Sequence, residues 1–147
     1  MVSVTLYYRQ FIEAKLSDAK EHEEKVNKSV QYLIEKYNTA YQNNQAIGIN
    51  MTYAIKKLEE LNLKKEKITR LLYCKSSKPK NNKKLVQAKL DKVNTDLQIV
   101  TNCVNHITNK YNIAFQKLQE IYITIGHALK SSETAINNRK ALEDKLK

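Results

Sequence analysis

The residues that could carry metal or nucleophilic chemistry are three histidines and two cysteines. Cys103 and His106 stand three residues apart, which places both on one face of a helix and would supply two metal ligands. A closed zinc site needs four ligands, and His22, His127 and Cys74 are out of reach of this pair in the arrangement predicted below. The spacing therefore predicts no metal site.

Motifs of common catalytic centres are also missing from the sequence. It contains no glycine-rich phosphate loop, no HExxH, no CxxC and no GxSxG. We therefore expect no enzyme, no catalytic residue and no cofactor.

Lysine offers a different chemistry, the attraction of polyanions. The chain has a net charge of +11, and residues 56–92 hold thirteen Lys or Arg against four Asp or Glu, so +9 of that charge lies in this segment. Lys outnumbers Arg there by twelve to one, which suits point-charge attraction to an anionic membrane better than base reading in nucleic acid. The residues predicted to bind an anionic surface, called the basic tip, are Lys64, Lys67, Arg70, Lys75, Lys78, Lys80, Lys83, Lys84 and Lys89.

Helices must position these residues, because apolar side chains recur at alternating intervals of three and four. Only two Gly and one Pro leave little material for the turns of a sheet. Fifteen of the eighteen a and d heptad positions from 12 to 72 are apolar, as are sixteen of the eighteen from 86 to 146. A period of 3.5 residues is typical of a coiled coil, so the fold class predicted is all-α.

The two halves match when the chain is folded back on itself. Each a or d position of the first half has its counterpart at 158 minus its number, so that Leu61 faces Leu97 and Leu16 faces Leu142. Pro79, which cannot continue a helix, stands at the midpoint. We expect one domain, 1–147, forming a long antiparallel helical hairpin. Its helices would span about 6–74 and 84–147, joined by a basic turn at 75–83.

A second architecture remains open from the sequence. Asn43, Asn44 and Gly48 weaken the first helix at the level where Asn109 and Asn112 weaken the second. Two breaks at this level would fold the hairpin double into a four-helix bundle. Asn44 also occupies an a position, where it either fixes the pairing register or leaves a hydrated weak point.

Apolar residues continue beside the a and d positions, at heptad position e. An apolar face this wide is typical of helices that pack on more than one neighbour, and an exposed stripe of this kind marks an association surface. The partner expected is a second copy of the chain or another helical protein. The predicted oligomerisation residues, called the apolar flank, are Ile34, Tyr41, Ile55, Phe115, Tyr122, Leu129 and Ile136.

The segment 78–89, KPKNNKKLVQAK, resembles the basic K-P-x-K-L-x-x-A-K tip of BAR domains of the sorting-nexin type. The heptads around Phe115–Leu118 are similar to the last helix of those domains. The segment differs from that pattern by two extra residues before Leu85. The resemblance implies a dimeric trafficking protein whose basic tips contact acidic lipid.

Together these features predict a non-catalytic coiled-coil scaffold that oligomerises and contacts an anionic membrane. The alternative is a small subunit of a chromosome- or cytoskeleton-associated coiled-coil complex, with the tip on nucleic acid or on an acidic protein surface. A third reading is an assembly subunit whose tip binds nothing. With no apparent secretion signal or membrane span, we expect a cytoplasmic chain, with peripheral membrane attachment and a nuclear location both left open.

Overall fold

The structure, a computed structural model, describes residues 2–73 and 80–147, and the side chains of residues 5–73 and 83–147. Helix α1 runs from Val2 to Tyr73 and helix α2 from Lys80 to Leu146, and the two pack against each other as a helical hairpin. The described ranges contain no strand. The prediction of an all-α helical hairpin is confirmed.

The helix bounds differ from the predicted ones at two ends. Helix α1 begins four residues before the predicted start, and α2 begins at Lys80, four residues before its own. The predicted turn includes Asn81 and Asn82, yet Asn in a helix costs only about 0.7 kcal/mol relative to Ala, too little to stop a helix that is otherwise favoured. Of the predicted turn at 75–83, residues 75–79 lie outside the described residues and 80–83 are helical.

Both helices are unbroken where the four-helix alternative requires a break. Residues 43–48 lie within α1 and residues 109–112 within α2. No glycine of the described chain adopts a positive φ, so Gly48 is an ordinary helical residue. Its cost of about 1 kcal/mol in a helix interior is small beside the seam packing on either side of it. The breaks that the folded-double bundle requires are therefore absent from both helices.

The buried face of each helix is the predicted seam of a and d positions. Every predicted a and d position is buried or half-buried, with the single exception of Lys65, which is exposed. The hairpin comprises two compact units, one formed by Met1–Tyr41 with Gln116–Lys147 and the other by Gln42–Phe115. In unit one, Ile12, Ala19 and Leu142 form a buried cluster. In unit two, Leu61, Ile68, Val93 and Ala114 are the buried apolar residues.

Contacts between the helices follow the predicted register in both units. In unit one the rings of Tyr37 and Tyr122 lie 6.3 Å apart between centroids, and the two residue numbers add to 159. In unit two the side-chain amide of Asn44 donates to the carbonyl oxygen of Tyr111 at 3.5 Å, and these numbers add to 155. Both sums are close to 158, the sum that the heptad positions predict for facing residues. The two helices therefore pair in the predicted register.

Polar residues that interrupt the seam of unit one have polar partners on the facing helix. Arg139 donates to Glu23 on the facing helix at 2.5 Å and to Glu143 on its own helix at 3.0 Å. These hydrogen bonds, first to Glu23 and then to Glu143, raise the pKa of Arg139 above its ordinary value, so the guanidinium stays charged. Ser132 donates to Asn27, an e-position residue of the facing helix, at 2.8 Å. Only Glu23 and Arg139 are thus two interruptions that pair with each other.

Candidate functional site

The apolar flank of unit one is built around an ordered group of tyrosines. Tyr37, an a-position residue, stacks on Tyr41 with ring centroids 6.2 Å apart and planes 17° apart. It also meets Tyr122 from the facing helix, at 50°. Tyr122 nevertheless keeps 68% of its surface exposed, and Ile34 and Leu129 beside it are exposed as well. The flank is therefore packed at its base and open to solvent on its outer side.

The apolar flank of unit two has a different construction. Tyr111 and Phe115 stack on α2 with centroids 6.4 Å apart and planes 9° apart. Facing them on α1 is Gly48, where an added Cβ would lie 3.4 Å from the Tyr111 ring, an ordinary van der Waals distance. Phe115 remains 43% exposed, and Ile55 on α1 is exposed too. The glycine that weakens the helix in the sequence therefore lies against an aromatic ring in the structure.

Six of the seven residues predicted for the apolar flank are exposed in this single chain. The seventh, Ile136, is half-buried. Because each flank residue follows a d position that lies in the seam, helical geometry places them all on the same side of that seam. The structure thus brings the predicted flank residues to one side within each unit, where a second helical surface could cover them.

The basic tip is only partly within the described side chains. Lys75, Lys78 and Lys80 lie outside them. Lys64, Lys67, Lys83, Lys84 and Lys89 are exposed and form no ion pair within the described residues. Arg70 is exposed but donates to Glu66 at 2.6 Å, which neutralises part of its charge, so it contributes less to attracting an anion than the lysines do.

Cys103 and His106, whose spacing alone would supply two metal ligands, have no further ligand beside them among the described residues. Cys103 is an exposed free cysteine, and among the described residues no three His, Cys, Asp or Glu side chains come together in a group that could hold a metal ion. His22 lies in a groove of unit one between the helices, together with Lys15, Asn138 and Lys145. These four residues occupy position g, which shows that the g positions of the two helices face one another on the side opposite to the apolar flank.

Sequence reasoning missed a second set of exposed apolar residues, at heptad position c. Leu85, Ile99 and Ile113 occupy this position on α2 at intervals of fourteen residues, and Tyr53 occupies it on α1. All four are more than half exposed, from 55% to 71%. The signal in the sequence is their shared heptad position, which the distribution of charge along the chain does not reveal.

Comparisons with protein-family models, with curated proteins and with solved structures return no match to this chain. The resemblance to sorting-nexin BAR domains therefore stays a prediction. Within the described residues, neither helix holds a stretch long and apolar enough to cross a bilayer.

Proposed function

We propose that this chain is a non-catalytic helical-hairpin scaffold that oligomerises through its apolar flank and contacts an anionic membrane through its basic tip. The observation that carries the proposal is the contrast between adjacent columns of the same helices. Seam residues are buried or half-buried except for Lys65, whereas Tyr122 and Leu129, each one residue after a d position, keep 68% and 51% of their surface exposed. Large apolar side chains aligned on one side of a seam are typical of an association surface.

A second copy of the chain is the partner that the flank fits best. The e columns of unit one carry charged residues only at their ends, namely Glu13, Lys20 and Glu143. The middle of these columns, where the flank residues lie, is apolar and aromatic. Tyr and Phe are the residues enriched in buried interface centres, because they bury much area with few rotatable bonds. Two identical flanks of this composition would cover each other without opposing like charges.

Unit two supplies the electrostatic half of the proposal. Residues 42–115 contain fourteen Lys or Arg against five Asp or Glu, a net charge of +9. Its tip lysines are exposed and without carboxylate partners in the described part of the chain, so their field reaches outward. An anionic lipid surface attracts each such lysine by about 1 kcal/mol, which suits reversible, salt-sensitive attachment. The BAR-like trafficking role that the tip sequence implies belongs to this proposal.

Mass measurement tests the oligomerisation. We expect light scattering after size-exclusion chromatography to give a multiple of the 17.1 kDa chain mass, and Tyr122→Glu to shift the population toward monomer. Tyr32→Glu is the matched control, because Tyr32 is similarly exposed at 64% but lies at position c. A monomeric wild-type chain at high concentration, or equal effects of the two substitutions, would contradict the proposal.

Vesicle flotation tests the membrane contact. Vesicles of phosphatidylcholine mixed with phosphatidylserine should carry the chain at low salt, and vesicles of phosphatidylcholine alone should not. Lys83→Gln with Lys84→Gln should weaken the flotation, whereas Lys130→Gln with Lys140→Gln, also neutralising two exposed lysines, should leave it nearly unchanged. Binding to duplex DNA without binding to anionic vesicles would instead favour the chromosome-associated alternative.

A further inference from the structure

The charge of unit two is unevenly distributed around its helices. Six exposed lysines occupy positions c and g of its described residues, against Glu60 and Asp96 as the acids at those positions; the lysines are Lys57, Lys64, Lys67, Lys89, Lys92 and Lys110. Position e of the same unit, from 48 to 69 and from 87 to 115, has no charged residue. The side of unit two opposite to the apolar flank is therefore its basic side.

The same side exposes large apolar residues. Position c of α2 reads Leu85, Lys92, Ile99, His106 and Ile113, so that aliphatic and basic or polar side chains alternate every two turns. The three aliphatic residues are 55% to 62% exposed and about 21 Å apart at 1.5 Å per residue. We call the six lysines, these three residues, Tyr53 and Leu71 the basic-apolar face.

We infer that the basic-apolar face of unit two lies flat on an anionic lipid membrane, with Ile99 and Ile113 reaching into the boundary between headgroups and acyl chains. This inference rests on the proposed membrane contact and moves it from the hairpin tip to the side of the hairpin. Lysines at this spacing meet lipid phosphates, while the aliphatic side chains between them leave water for the acyl boundary. Helices that bind in the plane of a membrane have this composition.

Charge and apolarity together favour a membrane over other polyanions. Duplex DNA presents phosphates that would attract the lysines, but its backbone offers no apolar layer for three aliphatic side chains spaced about 21 Å apart. The face also lacks the arginines that read base edges, since its six basic residues are all lysine. The apolar flank lies on the side of the seam opposite to this face. The hairpin could therefore bind lipid on one side and a second copy on the other at the same time.

Paired isoleucine substitutions test the apolar half of the inference. Ile113 and Ile123 are both on α2, with 55% and 59% of their surfaces exposed, but Ile123 lies at position f. We expect Ile113→Asn to weaken partitioning onto vesicles of equal parts phosphatidylcholine and phosphatidylserine by about tenfold, and Ile123→Asn to change it by less than about twofold. Lys92→Gln should weaken it about fivefold, with Lys130→Gln as its control. Circular dichroism checks that each variant keeps its helix content.

A fluorescence probe tests where the side chain goes. The chain has no native tryptophan, so Ile113→Trp and Ile123→Trp each report from a single position. On anionic vesicles the emission should shift to the blue for Ile113→Trp and stay unshifted for Ile123→Trp. If the wild type binds vesicles while Ile113→Asn binds equally well and Ile113→Trp shows no shift, the inference is wrong and the tip contact stands. If the wild type does not bind anionic vesicles, both are wrong.

Discussion

At the scale of single residues, the two glycines show how the same residue type has different consequences in one helical hairpin. A Cβ at Gly126 would meet nothing within 4 Å beyond its own stretch of helix, whereas a Cβ at Gly48 would lie 3.4 Å from the Tyr111 ring. Both are helical with negative φ. Gly126 thus faces open space, and Gly48 lies within ordinary contact distance of an aromatic ring.

Alanine substitution separates these two roles. We expect Gly126→Ala to raise the free energy of unfolding by about 1 kcal/mol, since alanine favours the helix by that amount. Gly48→Ala should gain at least as much, because its methyl group would reach the Tyr111 ring at ordinary van der Waals distance and add apolar contact. Urea unfolding followed by circular dichroism measures both. A smaller gain for Gly48→Ala would contradict this expectation and show that the ring has to move to admit the methyl group.

Asn44 is the residue whose role the sequence left open. It is 7% exposed at an a position, and its amide donates to the Tyr111 carbonyl, an oxygen that lies within helix α2. It is therefore a buried residue of the seam with a partner on the facing helix, as expected of an asparagine that fixes register.

Replacing Asn44 should trade pairing specificity for stability. Asn44→Leu removes a desolvated amide and adds apolar contact, so we expect the urea midpoint to rise, by an amount equivalent to about 1 kcal/mol. The same variant should populate slipped registers, detectable by cysteine cross-linking of residues one heptad away from their facing partners. A lower urea midpoint would show that the amide stabilises the fold itself.

At the scale of helices, the seam columns a and d of α2 have a different task from its e column, although all three carry apolar residues. Leu118 at position a is buried and Leu129 at position e is 51% exposed, both in unit one. The seam holds the hairpin together, and the flank remains available for a partner. The difference follows from position e standing one residue after position d, a rotation of about 100° away from the seam.

Truncating these two leucines should separate folding from association. Leu118→Ala should lower the free energy of unfolding of the chain by about 2–4 kcal/mol through loss of buried contact and creation of a cavity. Leu129→Ala should leave the unfolding of the monomer nearly unchanged and lower the fraction of oligomer. Urea unfolding at low concentration and light scattering at high concentration measure the two effects. A large loss of monomer stability in Leu129→Ala would contradict the assignment of position e.

At the scale of the whole molecule, one register describes the seam in both units. Leu16 packs against the unit-one cluster that contains Leu142, and the Asn44–Tyr111 hydrogen bond fixes the level of unit two. A shift of one heptad would place Asn44 opposite Ile107 or Ile121 in place of the smaller Ala114, and it would separate Glu23 from Arg139. The polar interruptions therefore select this register over its neighbours.

Disulfide cross-linking tests the register at both levels. In a chain carrying Cys74→Ser and Cys103→Ser, the pairs Leu16→Cys/Leu142→Cys and Leu61→Cys/Leu97→Cys should each close within one chain under mild oxidation. Leu16→Cys/Ala135→Cys is displaced by one heptad, about 10 Å, and should not close, because a disulfide requires Cα atoms within about 7 Å. Closure of the displaced pair in place of the first would show that the register is wrong.

Much of this structure follows from local pattern. The 3.5-residue period and the scarcity of Gly and Pro determined the two helices, and the matching of a with d positions determined their pairing, because both depend on spacing along the chain. The columns of apolar and basic residues around each helix are likewise readable from the sequence. The helix ends were less well predicted, since Asn81 and Asn82 weaken a helix without stopping it.

Tertiary structure decided how individual side chains meet across the seam. Glu23 and Arg139 each interrupt the apolar a and d series of their own helix. Only the packing of the two helices shows that they bind each other. Gly48 likewise lies against the ring of Tyr111, which is 63 residues away in the sequence. A heptad pattern records on which side of its own helix a residue lies. What the residue touches depends on the facing helix, and no local spacing contains that information.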